Sequence, residues 1–275
     1  LPELPEAETI VRGLRPTVAG RRLARVEVLH ADVLRQPRRR LAAAVRGRRI
    51  TDVERRGKNV VLRMDDRSVV AVNLGMTGGL TPVLGTDAPR SRPTHPAVRF
   101  RFHGGGCLVF DDQRRFGTVE ALTDEEWAER SGRLGPEPLE PSFTARVLHR
   151  RLSASRSPVR SWMLDQRRIA GVGNIYAAEA LHLAGIHPRR PARAVDFAGA
   201  RRLHRCLRSV LRAAIDHGGT TIRDYRDAQG DAGEYAPRLH VYGREGAPCH
   251  RCGSPVERLV FSGRSAFFCP SCQPA

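Results

Sequence analysis

Lysine is almost missing from this 275-residue chain: Lys58 is the only one, and the other 46 basic side chains are arginine. That leaves one primary amine, in "RRGKNVV", where arginine could not replace a compact point charge or an amine that must lose its proton. Aromatic residues are also sparse, at 5 %, while the hydrophobic fraction is an ordinary 40 %. No apolar run approaches the roughly 18 residues of a membrane span; the longest lies near "VVAVNLGM". The first residues lack a basic segment followed by an apolar one, so no secretory leader is expected. Acidic residues are outnumbered 47 to 29, which gives a net charge of +18 and a pI near 11.2. On a folded chain such an excess points to a polyanionic partner, nucleic acid foremost.

Four of the six cysteines form a pattern. Cys249-x2-Cys252 and Cys269-x2-Cys272 are sixteen residues apart, inside the spacing of a four-thiolate zinc site. The stretch "GSPVERLVFSGRSAFF" between them reads as two strands around an "SGR" turn, and the whole as a zinc ribbon holding one structural Zn²⁺. Two disulfides are the alternative. His250, between the first two thiolates, is expected to face solvent. Cys107 and Cys206 fall in apolar surroundings and read as buried thiols. Unpaired cysteines and the missing leader suggest a reducing cytoplasm.

Ala7, Ile10, Val11 and Leu14 have helical spacing, and Pro16 is expected to stop that helix. Period-two patterning then predicts strands near 22–29, 50–56, 59–64 and 68–74, with "MDDRS" as a hairpin turn. A further hairpin runs from "VRFRF" through "HGGG" to "CLVF", and a short "LAAAVRG" helix interrupts the strands. Thr123 and Glu126 form a capping box for "TDEEWAER". The acidic, proline-rich "LGPEPLEPS" reads as a linker. Helical patterns follow near 143–153, 157–167, 174–184 and 195–217, then a glycine-punctuated loop and the ribbon. The expected fold is α+β. An N-terminal β-sandwich domain with flanking helices spans 1–133, and a linker 134–142. A helical domain spans 143–245 and includes a loop over about 218–242; the zinc ribbon covers 246–275.

Several stretches have both a plain and a functional reading. "LPELPEAET" is ordinary helix-start grammar, with proline in the first turn and carboxylates at the positive end of the dipole. It also suits a Pro2 that becomes the terminus and acts as a secondary amine. "VNLGMTGGL" puts Met76 on a glycine-flexed loop, either as core or as a presented side chain. "DDQRRFG" presents Arg114, Arg115 and Phe116, and "IAGVGNIYAAEAL" opens a helix at Asn174 whose free N–H groups can bind an anion.

Together and in this order, "PELPEAET", "RRGKNVVL", "LGMTG", "DQRRFG", "LGPEPL", "GVGNIYAAEAL", "GGTT", "VYGR" and the paired CxxC motifs resemble the formamidopyrimidine-DNA glycosylase family. The resemblance implies a helix–two-turn–helix in the helical domain and a monomer acting on duplex DNA with oxidised bases or abasic sites. It implies a glycosylase that is also an abasic-site lyase, working by β,δ-elimination in base excision repair. Pro2 is then the nucleophile, Glu3 the proton shuttle, Glu6 a supporting acid and Lys58 a catalytic phosphate contact. Met76, Arg114 and Phe116 become the wedge that fills the space of an extruded base, Arg114 reading the orphaned cytosine. Asn174 and Arg264 contact phosphates, Arg264 beside the catalytic set, and His95, Arg223 and Tyr242 join the DNA contacts. The long loop after Gly218 implies oxidised purines, 8-oxoguanine and formamidopyrimidines, as substrates.

The chain departs from that pattern at several positions. Asp231 and Glu234 make the loop acidic, Asn73 stands where His is frequent, Ala97 replaces a second His beyond His95, Gln113 replaces a proline, and Arg160 replaces a lysine. Leu1 matters most, because a residue joined to Pro2 turns its nitrogen into an amide without a nucleophilic lone pair. The expectation is that Leu1 translates a start codon read as methionine, which is removed. Three alternatives stand beside this: a lesion-binding protein that does not cut, a glycosylase preferring oxidised pyrimidines, and adduct formation through Lys58.

Overall fold

The computed structural model describes residues 2–85, 93–261 and 263–275; Leu1, and Ser262 of the expected "SGR" turn, lie outside them. The chain divides into two compact units, Leu1–Arg133 with Ile215–Ala236, and Leu134–Ala214 with Pro237–Ala275. Most of the glycine-punctuated loop therefore belongs to the first unit.

That unit runs α1 (Leu4–Val18), β1 (Leu23–Val28), α2 (Arg38–Val45), β2 (Ile50–Arg56), β3 (Asn59–Met64), β4 (Val69–Asn73), β5 (Gly79–Val83), β6 (Pro96–Phe102), β7 (Cys107–Asp111), β8 (Thr118–Leu122) and α3 (Asp124–Gly132). Its strands pair antiparallel in two four-stranded sheets, ordered β1-β6-β7-β5 and β2-β3-β4-β8. Strand alternation decides where each side chain goes. Val60 and Leu62 of β3 share one core with Phe100 and Phe110 of the other sheet and with Ile10 and Leu14 of α1. Val61, between them, packs on the opposite face with Val69, Ala71, Leu122 and Trp127 of α3. Because that sheet is covered on both sides, β3 and β4 read as continuous apolar runs rather than alternating ones.

Two details differ from the sequence reading. Pro16 does not stop α1, which continues to Val18. Proline forfeits its own N–H and crowds the carbonyl one turn back, but this close to the C-terminus the next turn still closes, with the Ala19 N–H on the Arg15 carbonyl at 3.2 Å. β5, with Gly79 and Pro82, has weak strand character. It forms at a sheet edge, where a missing donor is tolerated. The Thr123–Glu126 capping box is present, with reciprocal bonds of 2.9 and 3.2 Å.

The second unit holds α4 (Ala145–Ser153), α5 (Val159–Leu164), α6 (Asn174–Ala184), most of α7 (Phe197–Asp216), and a hairpin of β9 (Glu257–Phe261) and β10 (Arg264–Phe268). Helix α6 is largely apolar and nearly all of it is buried, Glu179 and His182 included, as a helix without a polar face must be. The architecture is the expected α+β arrangement of a strand sandwich followed by helices and a zinc ribbon. No described helix is long and apolar enough to cross a membrane.

Candidate active site and nucleic-acid interface

Pro2 is buried and Glu3 is 2 % exposed, directly before α1. Glu6 is fully buried, and backbone donors hold both of its carboxylate oxygens. The Glu3 N–H donates to Oε2 at 2.7 Å, and the Thr220 N–H donates to Oε1 at 2.7 Å. The Tyr225 hydroxyl donates to the Glu6 carbonyl at 3.4 Å, and burial followed by the Glu6 charge pushes that phenol well above its ordinary range. Gly219 is required here. Its φ is +87°, and a Cβ on it would lie 3.0 Å from Glu6 Oε1. The loop closes at its base, where the Tyr235 N–H donates to the Gly219 carbonyl at 3.1 Å and the Gly233 N–H to Thr221 Oγ1 at 2.8 Å. The "PELPE" start and the "GGTT" turn are thus one construction. Lys58 sits half-buried in the turn joining β2 and β3, where Arg56 pairs with Asn59.

The loops carrying Met76 and Phe116 also lock together. A Cβ on Gly75, whose φ is +60°, would sit 2.4 Å from the Gly117 nitrogen. Buried Asp112 accepts the Thr77 hydroxyl at 2.5 Å and the Gly117 N–H at 2.7 Å, and Thr77 Oγ1 accepts the Arg114 N–H at 3.0 Å. On this frame Phe116 is 57 % exposed, with the Arg114 guanidinium 4.7 Å above its ring. The two arginines differ: Arg115, at φ +53°, pairs with Asp32 at 3.2 Å. Asn73, the residue found where His is frequent, accepts the Gly75 N–H at 3.1 Å and donates to Asn59 at 3.1 Å. Ala97 is buried in the core at a register shift of β6. Each of these departures therefore has a scaffold role.

His95 and Arg223, far apart in sequence, line one cleft of about 270 Å³ with Thr77, Asp111, Gln113 and Arg226. Asp111 Oδ1 accepts the His95 N–H at 2.6 Å, and burial raises the Asp111 carboxyl above its ordinary value.

In the second unit the residues around Asn174 converge on the ribbon. Arg160, fully buried on α5, donates through Nη2 to Asn174 Oδ1 at 2.6 Å and to the Ser265 carbonyl at 2.8 Å. Asn174 Nδ2 reaches the same carbonyl at 3.0 Å, which brings Asn174 next to the strand that Arg264 opens. Burial first, then the Arg264 charge, pushes the Arg160 guanidinium down. Arg264 itself is exposed. Tyr242 is half-buried, and its ring meets Phe267 edge-on with centroids 5.1 Å apart. Its N–H is one of three backbone donors, with those of His240 and Val241, received by the fully buried Glu179 of α6 at 2.7–3.0 Å. Sequence reasoning passed over Glu179. The available signal was a lone carboxylate inside an otherwise apolar helix, a position that demands partners.

The four sulfurs of Cys249, Cys252, Cys269 and Cys272 all lie within 4.8 Å of one another, with contacts of 3.4 and 4.0 Å. Tetrahedral Zn–S bonds of ~2.3 Å require S···S separations of about 3.8 Å, so the cluster fits one zinc ion held by four thiolates. Cys107 is a separate buried thiol and Cys206 is half-buried.

Three family models match in chain order. They are the formamidopyrimidine-DNA glycosylase N-terminal domain over residues 1–119, the formamidopyrimidine-DNA glycosylase H2TH domain over 134–226, and the zinc finger found in FPG and IleRS over 246–275. A formamidopyrimidine-DNA glycosylase of Symbiobacterium thermophilum is 43 % identical over 277 residues, covering 100 % of this chain and 90 % of that protein. The crystal structure of MutM (Fpg) from Thermus thermophilus superposes with a TM-score of 0.88 at 42 % identity, covering 99 % of this chain and 98 % of that one. A Lactococcus lactis Fpg variant, in complex with Fapy-dG-containing DNA, gives 0.91 at 31 % identity with both chains fully covered.

Proposed function

Because this chain belongs to the formamidopyrimidine-DNA glycosylase family, we propose that it is a bifunctional DNA glycosylase and abasic-site lyase of base excision repair. Its substrates on this reading are 8-oxoguanine and formamidopyrimidines in duplex DNA. The observation that carries the reading is the buried Pro2–Glu3–Glu6 start, tied through Thr220 to the loop proposed to cap the lesion.

The chemistry suits a terminal amine. An α-amino group titrates near pH 8, so a useful fraction is neutral at physiological pH. The Pro2 nitrogen attacks C1′ of the extruded nucleotide; the N–C1′ bond forms as the glycosidic bond breaks and the base leaves with a proton. Glu3 moves protons as the sugar ring opens to the iminium. The cationic iminium acidifies C2′–H, whose removal expels the 3′-phosphate, and a second elimination expels the 5′-phosphate. Lys58, Asn174, Arg264 and Tyr242 hold the flanking phosphates, with His95 and Arg223 as further DNA contacts. Extrusion costs a few kcal/mol of unstacking. Met76 and Phe116 offset it by filling the gap, while Arg114 reads the base left behind. Zinc, when bound by the four thiolates, stabilises the ribbon that presents Arg264. The protein works as a monomer on the genome, in the cytoplasm.

The reading requires a free secondary amine at Pro2. Intact-mass analysis of protein made from its native start, combined with borohydride trapping on an 8-oxoguanine duplex, tests it. A mass beginning at Pro2 and a covalent adduct lost in Pro2→Gly are expected. An adduct that survives Pro2→Gly but vanishes in Lys58→Ala would transfer the nucleophile to Lys58. Tight binding without any adduct would make the protein a binder only.

A further inference from the structure

The zinc cluster has a buried outer layer on α6 and at the end of the ribbon. Gln273 is 1 % exposed. Its Oε1 accepts the Cys269 N–H at 2.9 Å, and its Nε2 donates to the Ile186 carbonyl at 2.8 Å. These two partners fix the amide orientation, so Oε1 is an acceptor only. It also faces His182 Nδ1 at 3.2 Å, and that nitrogen must therefore carry the proton. The opposite ring nitrogen, Nε2, lies 3.9 Å from Cys249 Sγ, and with the proton on Nδ1 it has none to give a thiolate, so the ring meets Cys249 by packing. One buried pair thus touches a cysteine from each CxxC arm.

The pair also has a mechanical place. His182 lies near the end of α6 whose first residue, Asn174, bonds to Ser265 of the ribbon. The ribbon is pinned to this helix at both ends, by Arg160 and Asn174 at one and by His182 and Gln273 at the other.

We propose that Gln273 and His182 are positioning residues for the zinc centre: Gln273 holds the Cys269 backbone, His182 holds the Gln273 amide while its ring packs against Cys249, and together they pin the ribbon to the far end of α6. The inference rests on the four-thiolate zinc reading. Groups that orient metal ligands cost about 10–100-fold in metal affinity when removed, and a donor network held in advance has less to reorganise when it binds. A purely space-filling role gives a different forecast, because a ring of the same size would then serve equally well.

The test uses the full chain loaded with zinc. His182→Phe and Gln273→Met keep volume and lose the polar atoms; His182→Gln keeps a side-chain N–H. The rate at which excess chelator strips zinc is followed with a metal-binding dye, and thermal unfolding is recorded in parallel. His182→Phe and Gln273→Met are expected to release zinc about 10–100-fold faster. The double variant should be little faster than the worse single one, since both act through one network. His182→Gln should recover much of the retention. Natural release rates in both volume-keeping variants would overturn the proposal, as would equal release from His182→Phe and His182→Gln. If His182→Phe does not fold, Gln273→Met against the unaltered chain decides by the same criterion. Failure of the unaltered chain to hold zinc would instead remove the zinc reading itself.

Discussion

The side-chain carboxylate of Glu6 accepts the backbone N–H of Thr220 at 2.7 Å, joining the first helix to a turn 214 positions later. Glu6→Ala would orphan that donor and the Glu3 N–H together, in a fully buried place. At ~1–3 kcal/mol for each of the two orphaned groups, the first unit should lose about 2–6 kcal/mol in denaturant unfolding. Glu6→Gln keeps an acceptor oxygen and should lose less. Trapping by borohydride should fall in both, because the same bonds position the Pro2–Glu3 segment. Unchanged stability in Glu6→Ala would show that water replaces the lost acceptor.

Gly75 offers a way to separate lesion handling from general DNA affinity. A Cβ there meets the Gly117 nitrogen at 2.4 Å, and the +60° φ is unfavourable for alanine. Gly75→Ala must push the Met76 loop away from the Phe116 loop. The expected result is a tenfold or larger fall in excision of a paired 8-oxoguanine, with binding to undamaged duplex nearly unchanged. Equal loss of both would mean that the two loops do not act at the extrusion step.

Much of this was legible in the sequence, and what was hidden has a common cause. The CxxC spacing and the Thr123–Glu126 box are local grammar, so sequence distance alone reveals them. The partners of Glu6, Glu179 and Gln273 come from remote segments: Thr220 for the first, residues 240–242 for the second, Ile186 and His182 for the third. A single sequence shows the carboxylate or amide but not the backbone donor it will meet. In the sequence Arg160 stands out only as an arginine where lysine is frequent, yet it is fully buried and links Asn174 to the ribbon. Hydrophobic patterning finds β2, β3 and β4 because apolar packing dictates their residues. It passes over β5 because edge pairing tolerates glycine and proline.

Acid should probe the outer face of β1. Hydrogen bonds from Arg101 and then Arg25 hold the Glu27 carboxyl down at about 2, against an ordinary 4.5. A lowered folded-state value means that the stabilisation is complete above 4.5 and is lost as pH falls toward 2. Glu27→Gln should therefore melt below the unaltered chain at neutral pH, with the gap closing over that acidic window. Both partners are partly exposed, 24 % for Glu27 and 37 % for Arg101, so the gap should be modest and shrink in salt. A gap that persists at pH 2 would assign the effect to packing instead of charge.

Salt dependence can distinguish an arginine that grips phosphate from one that only adds charge. Each phosphate neutralised contributes about −0.9 to the slope of log affinity against log salt, and a chain of net charge +18 should show a steep slope. Arg264 is exposed at the start of β10, beside the Ser265 carbonyl held by Arg160 and Asn174. Arg264→Ala should reduce the magnitude of the slope by about one and weaken binding across all sequences alike. Arg25→Ala removes the same charge from a side chain paired with Glu27 at 2.9 Å, and should leave the slope unchanged. If both variants lower it equally, the response comes from overall charge and Arg264 makes no particular phosphate contact. If only Arg264→Ala lowers it, the ribbon is part of the DNA grip, and stripping its zinc should reproduce the effect in the unaltered chain.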